Sequence, residues 1–530
     1  MHPDTVSYLF NAAVRKFSER ALIISDIDGS IFSYSEVNDI VLQIMSRLRA
    51  EGMEKGDRIC IYSAMRAEGF LLFWAAMSLG LIFVPVDFNW PKGVLRKVIR
   101  EVRPKMFFCG PECANEFESD TPFSRSDMRT VLFDIEEKDS LFDHQTFSDW
   151  LDEPYREAPS FSVPEISPGD KAVVLYTSGS TGEPKGAVLS HGSLCRSGQL
   201  FTRTFGWSSP DVFFNLGEMH TMSGLRSSAI AVLDAGCSFL VTAPARRSNI
   251  FSITECIRLY LCTQLGASPI TIKQFVLFKD RVGVSALKSL KSVLSTGNNL
   301  SENLMDEFHD HFGIPILNYY GLTETTGLCI GNSLETFRDA HGSIGLALDC
   351  EAKIIDPDGS PLEDGQVGEL IIRSKNLMSG YYNRKDLEKD IIRDGWLYTG
   401  DMAKKRPDGH FVLMGRKRNI IKNAYTELIH LEEVELCIER HPQIAEAAVC
   451  GYISVLGDER MAAFIVPSAT PKNPMLLFRD LKEYLVAELG AHKIPSVFLM
   501  RDQLPRTSAG KILRDQLKKE IVYDREAGQD

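Results

Sequence analysis

Cysteine is present but never clustered: eleven residues are scattered singly, and the closest two, Cys109 and Cys113, miss a C-x2-C spacing. An odd number of isolated thiols excludes a disulfide framework and predicts reduced cysteines in a cytoplasmic protein. Without Cys or His groups at ligand spacing, a structural zinc site is not expected. The first seventeen residues hold no continuous apolar run, so they do not read as a secretory signal. Basic tracts with interleaved aromatics are lacking as well, and 59 Lys plus Arg against 71 Asp plus Glu leave a net charge of −12. That balance predicts neither nucleic acid nor an anionic membrane as partner. No internal repeat and no long low-complexity tract occurs.

One long apolar stretch tests the membrane reading. Residues 69–86 are apolar apart from Ser78, yet Gly80 lies inside the stretch and Pro85 near its end, where a spanning helix would break. A buried helix over 70–79 followed by a buried strand over 81–84 fits better, and no membrane span is expected. What remains is a globular composition, 44% hydrophobic and 25% charged, spread over 530 residues. That length predicts one large unit and at least one smaller one.

Strand-like runs at 21–25 and 59–63 with helical pattern between them predict α/β layers with largely parallel sheets. Residues 116–168, rich in Asp, Ser and Pro, read as surface connections around short elements. Turn signals over 395–413 predict short antiparallel strands. Beyond Gly415 the rhythm changes: Leu431, Val434 and Ile438 stand at helical spacing, 447–451 and 461–466 read as strands, and Phe478, Leu481, Leu485 and Leu489 line another helix. The expected division is therefore 1–415 and 416–530, with the charged stretch 415–419 as hinge.

The strongest local signal runs from Leu175 to His191. An apolar strand over 172–176 leads into Thr177, Ser178, Gly179, Ser180, Thr181 and Gly182, and Lys185 precedes a second strand-like run over 186–189. Glycines let the backbone approach phosphate oxygens, hydroxyls donate hydrogen bonds, and the lysine adds charge. It is not a Walker A loop, because Pro184 precedes the lysine and Gly186 follows it.

With six further segments in order, the chain resembles the adenylate-forming superfamily of acyl- and aryl-CoA ligases, stand-alone adenylation domains and luciferase-like enzymes. The segments are Phe32-Ser-Tyr-Ser-Glu36, Leu79-Gly-Leu-Ile-Phe-Val-Pro-Val-Asp87, Tyr319-Tyr-Gly-Leu-Thr-Glu324, Gly368-Glu-Leu370, Tyr398-Thr-Gly-Asp401 with Gly415-Arg416, and Leu504-Pro-Arg-Thr-Ser-Ala-Gly-Lys511. The resemblance implies a large multi-subdomain N-terminal domain and a small mobile α+β lid. It also implies an acid-activating enzyme that makes an acyl-adenylate from ATP and passes the acyl group to a thiol, coenzyme A first and a carrier-protein phosphopantetheine second. A carrier protein is then a partner. A catalytically silent acyl-adenylate or nucleotide sensor is the rival from another class.

Residue by residue, the resemblance implies adenine contacts for Tyr320 and Gly321 and for the turn at Gly297. Thr323 is expected on phosphate, and Glu324 offers a hard oxygen to Mg2+. Asp401 is expected on the ribose, Arg416 on the ribose or a phosphate, and Lys511 between the carboxylate and the α-phosphate. Lys422 heads the loop of the thioester step. In the acid pocket His220, Gly224 and Tyr319 are the candidates, with Thr221 in place of His220 if the alignment is anchored on Gly224, and Glu218 keeps an amine-bearing acid open. Departures occur at Asn298 and Asn299, at Arg418 in the hinge, and after Lys422, where Tyr425 and His430 replace an expected glycine and proline.

Overall fold

The computed structural model describes residues 2–90, 92–110, 128–133, 145–153, 163–177, 184–297, 300–338, 342–384, 391–422, 428–453, 459–471, 473–490, 493–507 and 510–526. The chain divides into two compact units. The first comprises Met1–His341, Gly345–Glu351 and Arg373–Leu397, and the second Gly342–Ile344, Ala352–Ile372 and Tyr398–Asp530.

The first unit is built on two sheets. In the nine-stranded sheet the order is Leu346–Ala347, Gly327–Gly331, Ile316–Leu322, Ser292–Ser295, Gln264–Ala267, Val212–Asn215, Ser238–Val241, Ala21–Ser25 and Ile31–Ser33. Its inner pairs are parallel and both edges antiparallel. The six-stranded sheet runs Arg129–Leu132, Met106–Cys109, Arg58–Tyr62, Ile82–Val86, Lys171–Thr177 and Lys185–Ser190, with only the last pair antiparallel. The inner strands read as continuous apolar runs because helices cover both faces. The layered α/β architecture is the one expected.

The long apolar stretch resolves into the helix Ala67–Leu79 and the strand Ile82–Val86, and Gly80 between them adopts φ +66° as a left-handed cap. Every side chain from 69 to 79 is buried, and Trp74 donates its Nε1–H to the Ala229 carbonyl at 2.9 Å. Burial on all sides accounts for the uniform hydrophobicity. Among the described residues no helix is long and apolar enough to cross a membrane. The cysteines among them are free, and all but Cys350 are buried.

The second unit carries the antiparallel pair Trp396–Lys405 and Phe411–Arg416, in which Asp401 faces Arg416. It continues with the short pair Ile420–Lys422 and Leu428–His430 and a three-stranded sheet of Ile444–Ile453, Glu459–Pro467 and Val497–Met500. The helices Leu431–Glu439 and Pro474–Leu489 place Val434, Ile438, Leu481 and Leu485 in one core with Val449 and Ala463. Residue 415 lies inside this unit, near the end of the strand Phe411–Arg416.

Candidate active site

The candidate residues divide between the units: those from Thr177 to Glu324 lie in the first, and Asp401, Arg416, Lys422 and Lys511 in the second.

In the first unit the phosphate-loop candidates spring from a hairpin. Thr177 faces Lys185 across the strands Lys171–Thr177 and Lys185–Ser190, and its hydroxyl donates to the Lys185 carbonyl at 3.4 Å. Ser178, Gly179, Ser180, Thr181 and Gly182 lie outside the described residues. Gly186 is required by packing, since a Cβ there would meet Val174 Cγ1 at 2.6 Å. Lys185 Nζ lies 5.8 Å from the centroid of the Tyr381 ring, at the outer limit of a cation–π contact.

The Tyr-Gly-Leu-Thr-Glu motif occupies the end of the strand Ile316–Leu322. Residues 316–318 pair in parallel with 293–295, while 319–322 pair antiparallel with the strand Gly327–Gly331. The chain doubles back so tightly that a Cβ on Gly321 would sit 2.0 Å from the Gly327 carbonyl oxygen. Thr326 takes φ +52° to close the turn. The short 3-10 turn Thr323–Thr325 then holds Glu324 beside residues 378–381, where Met378 N–H donates to the Glu324 carbonyl at 2.8 Å and the Tyr381 hydroxyl to Glu324 Oε1 at 2.7 Å. Burial, reinforced by the Glu324 carboxylate, pushes the Tyr381 phenol far above its ordinary range, so the tyrosine is the donor. Strand alternation sends Tyr319 and Tyr320 to opposite faces. Tyr319 packs edge-on against Phe201 and accepts a hydrogen bond from Arg226 Nη2 at 3.2 Å. Gly297 follows the strand Ser292–Ser295 at φ +94° with open space where a Cβ would stand, and Asn298 and Asn299 lie outside the described residues.

The acid-pocket candidates form a capped turn. Thr221 Oγ1 accepts from Gly224 N–H at 3.0 Å, and a Cβ on Gly224 would lie 1.9 Å from the Glu218 carbonyl oxygen, so only glycine fits. His220 stands edge-on to Phe88 with Nε2 3.5 Å from Asp87 Oδ2. Burial lowers its pKa against the opposing pull of Asp87 and Glu218, which favours the neutral ring. Both Glu218 oxygens are engaged, Oε2 by Met65 N–H at 2.9 Å and Oε1 by Arg247 Nη2 at 2.9 Å.

Two residues escaped the sequence reading. Tyr381 is one; its neighbour Tyr382 and the preceding Gly380 are the only local sign. Arg226 is the other, a guanidinium 1% exposed that lies 3.9 Å from the Phe201 ring centroid.

In the second unit Arg416 Nε lies 2.7 Å from Asp401 Oδ1, and Arg416 Nη1 donates to the Thr399 carbonyl at 3.2 Å. Asp401 is 2% exposed and follows Gly400 at φ +69°. Lys422 ends the strand Ile420–Lys422 opposite Leu428; Tyr425 lies outside the described residues. In the hinge stretch a Cβ on Gly415 would strike Glu432 Oε2 at 2.3 Å, while Glu432 Oε1 accepts from Asn419 Nδ2 at 2.6 Å. Lys511 is exposed on a turn closed by Thr507 N–H to the Lys511 carbonyl at 2.8 Å, with Gly510 at φ +78°. Arg506 anchors that turn, donating to the Gly510 carbonyl at 2.8 Å and to Glu446 Oε2 at 2.8 Å.

Among the described residues no group of three or more His, Cys, Asp or Glu side chains stands ready for a metal. A single carboxylate such as Glu324, with Oε1 taken by Tyr381, suits a Mg2+ ion that arrives with nucleotide phosphates and keeps its waters.

A family model described as AMP-binding enzyme matches residues 10–382, and one described as AMP-binding enzyme C-terminal domain matches residues 433–511. The indoleacetate–CoA ligase of Aromatoleum aromaticum is 25% identical over 92% of this chain and 93% of its own. The medium-chain fatty-acid–CoA ligase of Escherichia coli is 27% identical over 94% and 88%. An anthranilate CoA ligase solved with anthranoyl-AMP superposes with a TM-score of 0.88 at 22% identity, covering 98% of both chains. A benzoate CoA ligase from Burkholderia xenovorans gives 0.86 at 21% identity over 97% of this chain and 99% of that one. The chain belongs to the AMP-binding enzyme family and is one of the adenylate-forming enzymes.

Proposed function

We propose that the protein is an AMP-forming acyl-CoA ligase in which residues 1–415 hold ATP and the acid and residues 416–530 act as the lid. A carboxylate oxygen of the acid attacks the α-phosphorus of ATP, the bond from that phosphorus to its bridging oxygen breaks, and pyrophosphate leaves. The thiol sulfur of coenzyme A then attacks the acyl carbon, AMP departs, and the thiol proton goes to solvent.

The roles follow from chemistry and place. The loop 177–182 and Lys185 cradle the triphosphate, Tyr320, Gly321 and Gly297 border the adenine, and Thr323 contacts phosphate. Glu324 would hold Mg2+, which neutralises phosphate charge. Asp401 takes the ribose hydroxyls and is oriented by Arg416. Lys511 bridges the incoming carboxylate and the α-phosphate as negative charge gathers there. Lys422 and its loop serve the transfer step, and His220, Gly224 and Tyr319 border the acid. The observation that carries the reading is that Lys185 and Glu324, 139 positions apart in one unit, both contact Tyr381. Buried, reduced thiols suit work in the cytoplasm.

Glu218 bears on the acid. With both oxygens engaged by Met65 and Arg247 it is poorly placed to grip an α-amine, which favours fatty or aryl acids over amino acids. Tyr425 in the transfer loop supports a second acceptor, the pantetheine arm of a carrier protein.

Acid-dependent ATP–pyrophosphate exchange over fatty, aryl and amino acids, followed by AMP release with coenzyme A or a loaded carrier, tests the proposal. Exchange with a fatty or aryl acid and coenzyme A-dependent AMP release are expected. ATP binding without exchange for any acid makes the protein a sensor. Release with the carrier alone moves the acceptor.

A further inference from the structure

Residues 378–382 stitch together the two elements that present charge to the triphosphate. Ser379 N–H donates to the Val188 carbonyl at 2.8 Å, Val188 N–H to the Gly380 carbonyl at 2.9 Å, and Tyr382 N–H to the Gly186 carbonyl at 2.7 Å. These bonds lay the segment along the strand Lys185–Ser190. Met378 N–H, donating to the Glu324 carbonyl at 2.8 Å, ties the same segment to the turn that follows the strand Ile316–Leu322. Tyr381 stands at the junction, 9% exposed, with its ring 5.8 Å from Lys185 Nζ and its hydroxyl 2.7 Å from Glu324 Oε1.

An ammonium and a carboxylate held this near a common neighbour attract one another, and a direct pair would silence both toward a ligand. Lys185 and Glu324 nevertheless form no ion pair with each other among the described contacts; each meets the tyrosine instead. The phenol donates a charge-assisted hydrogen bond to one carboxylate oxygen, which fixes the plane of the carboxylate and leaves the second oxygen directed elsewhere. The ring gives the ammonium a weak, sequestering partner that phosphate oxygens displace readily.

We propose that Tyr381 is a positioning residue, a spacer that keeps the Lys185 ammonium and the Glu324 carboxylate apart and presents each, unpaired, to a magnesium–nucleotide. The inference rests on the reading of Glu324 as the metal-holding carboxylate and Lys185 as a phosphate contact. Tyr381 touches neither nucleotide nor metal in this account; it acts through its two neighbours.

The test is calorimetric titration of ATP, without acid substrate, into the full chain with Mg2+ and with EDTA. The readout is the gain in nucleotide affinity conferred by Mg2+. Tyr381→Phe keeps the ring and removes the donor, so affinity in EDTA stays within about twofold while the magnesium gain falls roughly ten- to a hundredfold, the range for one charge-assisted hydrogen bond. In a Glu324→Gln background the same tyrosine substitution changes the gain no further, because the two groups act as one unit. A wild-type magnesium gain in Tyr381→Phe, with Glu324→Gln losing it, overturns the spacer role and leaves the proposed function standing. A full gain in Glu324→Gln removes the metal role of Glu324 and the inference with it. An equal loss in EDTA and in Mg2+ reports general damage and also overturns the assignment. If Tyr381→Phe fails to fold, Lys185→Met gives the second measurement: its magnesium gain remains while affinity in EDTA falls severalfold, and the reverse pattern counts against the spacer.

Discussion

Two regions carry the lysines that the proposed function assigns to phosphate chemistry, and they are built on opposite terms. Around Lys185 and Glu324 the side chains themselves are held, by Tyr381 and by the backbone bonds of residues 378–382. Around Lys511 the backbone is held, by the Thr507 turn and the Arg506–Glu446 pair, and the side chain is exposed. Their glycines differ in the same way. Gly321 has an ordinary φ but no room, its Cβ position being 2.0 Å from a carbonyl oxygen, whereas Gly510 has open space and a φ of +78° that side chains rarely adopt. The first region is organised for position and the second for reach. An exposed lysine on a stiff turn suits the lid role proposed for Lys511.

The largest effect expected from this contrast is at Gly321. Gly321→Ala forces backbone against backbone where no side chain can yield, so circular dichroism and ATP–pyrophosphate exchange should both report loss of the native first unit. A folded, active Gly321→Ala protein would erase the distinction between the regions.

Lys511→Ala comes next. Exchange should fall on the order of a hundredfold or more, as when one preorganised charge contact to a transition state is removed. Tm should stay near wild type, because the turn is closed by backbone and by Arg506. Wild-type exchange in the folded variant would reassign the bridging cation.

At Glu324→Gln the expected loss is smaller, roughly tenfold in ATP use, and excess Mg2+ should recover part of it because a weakened ligand is compensated by mass action. Independence from Mg2+ concentration in both proteins would make Glu324 structural. For Tyr425→Gly, exchange should be unchanged while single-turnover transfer from preformed adenylate shifts: faster to coenzyme A if the ring narrows the thiol path, slower to a carrier arm if it shapes one. Unaltered transfer to both acceptors would place the loop elsewhere.

At neutral pH, where the other effects are read, a pH dependence in the first unit contributes nothing and emerges only on acidification. His191, fully buried after the strand Lys185–Ser190, has no hydrogen-bond partner on either ring nitrogen. Burial lowers its pKa from 6.5 to about 4, against a partial opposing pull from Asp170. The folded chain therefore binds fewer protons than the unfolded one between those values, and stability falls as pH drops through that window. Thermal melts of wild type and His191→Phe from pH 7 to pH 4 should show the wild type losing ground relative to the variant. Parallel curves would remove His191 from the account.

Much of the fold was legible because it follows local patterns. The buried helix Ala67–Leu79, the hairpin around Lys185 and the helix–strand alternation after residue 431 lie where apolar spacing and turn residues put them. The motif residues Lys185, Glu324, Asp401 and Lys511 were legible through their sequence neighbours. What joins them was not. The Tyr381–Glu324 bond spans 57 positions and depends on how residues 378–382 dock on a hairpin, for which no spacing rule exists. Asp401 and Arg416 were read as separate contacts; their pairing follows from cross-strand register, shifted between Met402 and Ala403 by an irregularity. Gly224 was read as a pocket residue, and its strict need comes from the Glu218 carbonyl folding back on it.

The buried cysteines acquire a further meaning once the chemistry is considered. An acyl-adenylate is an acylating agent, and a thiolate is the protein nucleophile that would attack it most readily. Burial raises the thiol of Cys256 to about 11 and those of Cys262 and Cys450 to about 12. At neutral pH such groups are protonated in all but about one part in ten thousand or fewer. Among the described residues these thiols would therefore offer a reactive intermediate little competition with the coenzyme A acceptor of the proposed function.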